Sequence, residues 1–129
     1  MSIIPTVSPR AASQVAKSYL LQYHEWHLIA LRWKISKLIG STGNHRTHQQ
    51  ASYECSERLK VIETIKRKDL TSALILYYRF IKQYRVQRTI AELNRKHISI
   101  SEGRFYHVQR EALLMAFEAM PEGKITIVQ

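Results

Sequence analysis

Between Pro9 and Pro121 this 129-residue chain contains no proline. Proline removes a backbone donor and clashes with the preceding turn, so its absence leaves helices free to run through the whole interior of the sequence. Only four glycines are present, and two of them, Gly40 and Gly43, fall in one polar stretch, GSTGNHRTHQQ from Gly40 to Gln50. On both sides of that stretch apolar residues recur at helical steps of three and four, and hydrophobic residues make up 45% of the chain, enough for a packed core. The expectation is an all-α fold, a long N-terminal helix followed by a C-terminal helical domain. Only the tail, KITIVQ, alternates as a strand would.

Residues 1 to about 10, with Pro5 and Pro9, read as a mobile lead-in. From Ala11 to Ile39 nothing breaks a helix. Leu21, His24, Leu28, Leu31, Ile35 and Leu38 follow alternating steps of three and four, and a second stripe, Tyr19, Tyr23, Trp26, Ala30 and Trp33, lies on another face. A helix with two apolar faces needs two partners. The remaining helices are expected to cover one face. Tyr19, Tyr23, Trp26 and Trp33 are the candidate surface for a homodimer or another partner, because exposed aromatic stripes of this length seldom stay in water. The alternative is a central helix wrapped on both sides by its own domain. The polar stretch reads as a flexible connection, with a boundary near residue 45. The organisation is then 1–45 as lead-in and amphipathic helix, 46–120 as helical domain, and 121–129 as a tail that is frayed or paired across a dimer.

A third helix is expected from about Tyr53 to Lys66, with Leu59, Ile62 and Ile65 inward and Lys66, Arg67 and Lys68 at its negative end. Asp69 is placed to cap a fourth, from Leu70 to about Gln83, with Ala73, Leu74, Tyr77, Phe80 and Ile81 in the core. Tyr77 and Tyr78 are read as core and rim, since a base-stacking platform needs exposed aromatics in a groove.

The stretch Val86 to Ala119 carries the functional signal. Ile90, Ala91 and Leu93 give a short helix one apolar face; after a polar connection, Phe105, Val108, Ala112, Met115 and Ala119 give a second helix another. Ser101 is the expected N-cap, and Glu102 suits the positive end of the dipole. Gly103, Arg104, Tyr106, His107 and Arg110 are then left outward on the first half of that helix, where a helix-turn-helix places its base-reading side chains. Arg104, Tyr106, His107 and Arg110 are the candidate base readers.

At these residues, Ile90-Ala91-Glu92-Leu93 and then Ser101, Arg104-Phe105-Tyr106-His107-Val108 and Glu111-Ala112-Leu113, the chain resembles the C-terminal helix-turn-helix of phage late-gene transcriptional regulators of the ArpU/RinA type, a unit similar to region 4 of sigma factors. The likeness covers about the last 60 residues well and the N-terminal half in general character. His107 stands where the family often has Arg, and Asn94 to Ser99 make a longer connection than its usual tight turn. The resemblance implies activation of late packaging and lysis genes by binding upstream of a promoter, with RNA polymerase as a further partner.

The chain carries a net charge of +10, which argues for an acidic partner, nucleic acid in the first place, with an anionic membrane surface as the rival. Residues 58–88 hold nine basic against two acidic side chains, and residues 89–129 hold five of each, so the reading helix is not itself the basic patch. Arg79, Lys82, Arg85 and Arg88, which precede or open the first helix of the motif, are the expected phosphate contacts, together with Ser101. Phosphate contacts supply affinity and register while a few side chains read base edges.

Other classes find no support. There is no Gly-rich phosphate loop or catalytic constellation, so no enzyme is expected and no cofactor. His45 and His48, with His24, His27 and the single Cys55, do not match a structural zinc spacing. No apolar run is long enough to cross a membrane and no signal core opens the chain, which points to a cytoplasmic protein. The reading is a sequence-specific, double-stranded-DNA-binding transcriptional regulator. The alternative is a helical interaction protein, binding a host or phage protein such as RNA polymerase, with the helix-turn-helix as scaffold.

Overall fold

The computed structural model describes residues 8–38 and 45–124, all of them helical or in turns and caps between helices, with no strand among them. α1 (Pro9–Leu21) starts where Ser8 Oγ accepts from the Ala11 N–H at 3.2 Å, with Pro9 in the first turn. It therefore begins two residues earlier than apolar periodicity indicated, because proline is tolerated at that position. α2 (Tyr23–Leu38), α3 (His45–Lys66), α4 (Leu70–Leu76), α5 (Val86–Arg95) and α6 (Glu102–Ala119) follow, and Glu122–Lys124 form one 3₁₀ turn. No described helix is long and apolar enough to cross a membrane.

The single long helix expected from Ala11 to Ile39 is interrupted at Gln22. The cause lies in α3. Arg58 is 1% exposed, and its Nε donates to the Tyr19 carbonyl at 2.6 Å while Nη2 donates to Gln22 Oε1 at 2.7 Å. In an unbroken helix that carbonyl serves the Tyr23 N–H; drawn to a guanidinium, it loosens one turn. Arg58 Nη1 also donates to Glu54 Oε2 at 2.6 Å, the guanidinium stacks 4.1 Å from the Tyr19 ring centre, and the Tyr19 hydroxyl donates to Glu57 Oε1 at 2.7 Å. Lys124 pairs with the second Glu54 oxygen, which ties the turn after α6 onto α3. The tail expected to be frayed or shared is thus anchored as far as Lys124; Ile125 to Gln129, the rest of the alternating segment, lie outside the described residues.

α3 is also longer than expected. His45 to Ser52, read from sequence as part of a polar connection or its edge, is helical because it packs on α2: the His48 ring stacks on Trp33 with centroids 3.9 Å apart, and Ala51 is fully buried. Trp26 and Tyr23 are half-buried on the same side, and Tyr19 is buried in the core. The aromatic stripe, assigned above to a dimer or outside partner, is the face α2 turns to its own chain. The outward face carries Leu28, Leu31 and Ile35 instead.

One core joins the two halves of the chain. Tyr19 and Leu20 of α1 meet Ile62 and Ile65 of α3, Leu76 of α4, and Ala112, Leu113 and Ala116 of α6. α1 is therefore part of the body rather than an arm set off at residue 45. Asp69 caps α4 as expected, accepting from the Thr71 N–H at 3.1 Å and the Ser72 hydroxyl at 2.8 Å. The continuation that sequence placed in the same α-helix, Tyr77–Ile81, instead widens into a π turn, with the Lys82 N–H reaching back to the Tyr77 carbonyl at 2.9 Å. Gln83 then takes a left-handed conformation (φ 59°), which ends the helix and turns the chain into α5.

Candidate nucleic-acid interface

α5 and α6 share a small second core in which Leu93, Phe105 and Ile75 are fully buried and Ile90, Ile98, Ile100 and Val108 pack around them. The connection is built by a left-handed helix stop. His97 (φ 64°) donates to the Asn94 carbonyl at 3.0 Å, and the Ile98 N–H to the Leu93 carbonyl at 2.9 Å, which is the double closure of a Schellman motif. Ile98 and Ile100 then point back onto Leu93, so the stretch read as a polar connection holds two core side chains. Ser101 caps α6, its Oγ accepting from the Arg104 N–H at 3.3 Å. Its own O–H is a donor suited to an anion at the positive end of an 18-residue helix.

With Phe105 and Ala112 fixing the inner face, α6 presents its first half outward. Gly103, Arg104, Tyr106, His107 and Arg110 are all exposed. At about 100° per residue, Gly103, His107 and Arg110 share the ridge opposite the core, with Arg104 and Tyr106 on its two edges. Tyr106 is 44% exposed and meets Phe105 edge-on at 5.8 Å, so its ring direction is set from below. Gly103 has nothing within 4 Å of where a Cβ would sit, which leaves the backbone open to close approach.

The expected phosphate contacts divide. Lys82, Arg85 and Arg88 are exposed around the start of α5, a terminus with no side-chain cap, so its first N–H groups and positive dipole end face outward beside them. Arg88 is held flat over the Tyr84 ring at 3.8 Å, and Tyr84 stacks on Tyr78, which makes the two tyrosines supports for a cation rather than a base platform. Arg79 departs from the set. Its Nε donates to Gln109 Oε1 at 3.1 Å and its Nη1 to the Tyr84 carbonyl at 2.7 Å, so it is a strut between α6 and the turn before α5. Arg58, counted with the basic segment, is buried and adds nothing to the surface field.

Two cations that sequence reasoning left aside lie next to α6. Arg10 and Lys17 of α1 line a groove of about 700 Å³ together with His107, Arg110 and Glu111 of α6. Their spacing of seven on one helix face was visible, but nothing in the sequence placed that face beside residue 107. Lys17 also lines a hollow with Arg79 and Gln83, so the cations of α1 stand close to the turn that leads into α5. Among the described residues no three His, Cys, Asp or Glu side chains gather as a metal site requires, and His27 and His48 stack on Tyr23 and Trp33. No family model, curated protein or solved structure matches this chain.

Proposed function

We propose that this protein is a sequence-specific DNA-binding regulator of transcription that lays the first half of α6 in the major groove. The observation that carries this reading is the outward ridge itself. Arg104, Tyr106, His107 and Arg110 are exposed on a helix whose inner face is locked by Phe105, with cations of α1 and of the start of α5 nearby. A helix with its side chains is about 10–12 Å across and the major groove about 12 Å wide, so a helix seated there has a phosphate wall on each side. Lys82, Arg85 and Arg88 around the start of α5, with Arg10 and Lys17 of α1, supply the phosphate contacts. Arg104 and Arg110 have the forked donor geometry that reads guanine, and Tyr106 and His107 suit a thymine methyl, a base edge or a phosphate. The resemblance to late-gene regulators extends the reading to activation from a site upstream of a promoter, with RNA polymerase as a second partner.

Selection of duplexes from a randomised pool tests the reading. One enriched motif, protected from cleavage across its major groove, is the expected result; a pool that stays random after repeated rounds refutes sequence-specific recognition.

A further inference from the structure

Leu28, Leu31 and Ile35 of α2 are 40%, 40% and 57% exposed, and His24, one step earlier, is exposed as well. Their steps of four, three and four are the a and d positions of a heptad, the spacing that keeps one seam facing a partner helix. At about 100° per residue this seam lies opposite the aromatic stripe that α2 buries on α3, so α2 has one face satisfied and one open among the described residues.

We propose that a second copy of this chain docks on the seam, α2 against α2 and antiparallel. The charges flanking the seam select both occupant and direction. Glu25 and Arg32, seven residues apart and both exposed, occupy one flank; His27 and Lys34 occupy the other. In an antiparallel pair each flank faces its own counterpart, so a two-fold axis between residues 29 and 30 sets Glu25 of each copy beside Arg32 of the other, and two ion pairs form. A parallel pair brings Arg32 to His27, and no Glu–Arg pair results. The same axis layers Leu28 on Leu31 and His24 on Ile35. This surface is independent of the DNA-binding reading and is tested without DNA.

Sedimentation velocity of the full chain at about 0.1 M salt reads the association directly. The wild type dimerises. Leu28→Glu with Leu31→Glu leaves a monomer that keeps its helical circular dichroism, because both positions are exposed, and whose melting no longer depends on protein concentration. Glu25→Arg alone or Arg32→Glu alone weakens the dimer by about two- to thirty-fold, the range for two exposed ion pairs. Joining the two substitutions restores it. A wild type that stays monomeric at every concentration reached, including one that binds a different helical protein through this seam, overturns the proposal. So does a dimer indifferent to the Leu28 and Leu31 changes, or a joint charge swap as weak as either single one.

Discussion

Replacing Arg58 with methionine keeps most of the side-chain volume and removes every hydrogen bond of the guanidinium. The Tyr19 carbonyl and Gln22 Oε1 each lose a partner, and Glu54 keeps Lys124 as its remaining cation. Removing one partner of a buried, hydrogen-bonded ion pair costs about 3–5 kcal/mol; here the loss is shared between Glu54, which keeps only Lys124, and the Tyr19 carbonyl and Gln22 Oε1, which lose their charged donor. That is a fifth or more of the ~5–15 kcal/mol by which a domain is stable. With about 2.1 cal/mol/K per residue of unfolding entropy, the loss corresponds to a fall in Tm of roughly 11–18 °C. Urea unfolding followed by circular dichroism measures it, with the slope m unchanged if the native fold persists. The double change Arg58→Met with Glu54→Gln costs less than the sum of the two single ones, since each single change strands the other partner. A loss below about 1 kcal/mol, the size expected of a surface pair, would refute the role given to this cluster.

The same cluster sets a pH dependence. Burial alone would raise the Glu54 carboxyl, but hydrogen bonds from Lys124 and Arg58 outweigh it and hold the group below its ordinary value of 4.5. A carboxyl depressed in the folded state contributes stability above that value and loses it as pH falls through the folded pKa, so urea midpoints should fall on acidification below about pH 4.5 and do so less in Glu54→Gln. At the alkaline end, burial and then the hydrogen bond to Glu57 push the Tyr19 phenol well above its usual 10.0, so folding keeps the proton and stability declines as pH rises past 10.0. His97→Gly relieves a left-handed conformation that an L side chain adopts at a cost, and should raise stability by up to about 1 kcal/mol in the same unfolding assay. Arg10→Ala with Lys17→Ala should lower the slope of log K against log salt by about 2 and weaken all DNA sequences alike, as Lys82→Ala should by about 1, in titrations across salt.

The helices and their caps were legible because they are local. Ser101 and Asp69 sit where a cap belongs, and the stripe of Phe105, Ala112 and their neighbours fixes the outward side of α6 without reference to anything distant. What was not legible depends on partners remote in sequence. Nothing in Leu21-Gln22-Tyr23 breaks a helix; Arg58, 36 residues on from Gln22, does. Periodicity shows that residues 19–38 have two apolar faces but not which one packs inward. The choice is made by α3, where the flat ring of His48 stacks on Trp33. Charge counting treats all cations as free surface charge, and so it missed that Arg58 is buried and that Arg79 is held by Gln109 and the Tyr84 carbonyl. It also could not see that folding brings Arg10 and Lys17 to the flank of α6.

The most direct test is fluorescence anisotropy with duplex DNA from upstream of the neighbouring genes and a scrambled duplex, across salt, for the wild type and Arg104→Ala. The account predicts tight wild-type binding to one sequence, affinity falling steeply with salt, and a loss of ~1–3 kcal/mol of preference in the variant, confined to one base position. Equal, weak binding to both duplexes, unchanged by the substitution, would contradict it.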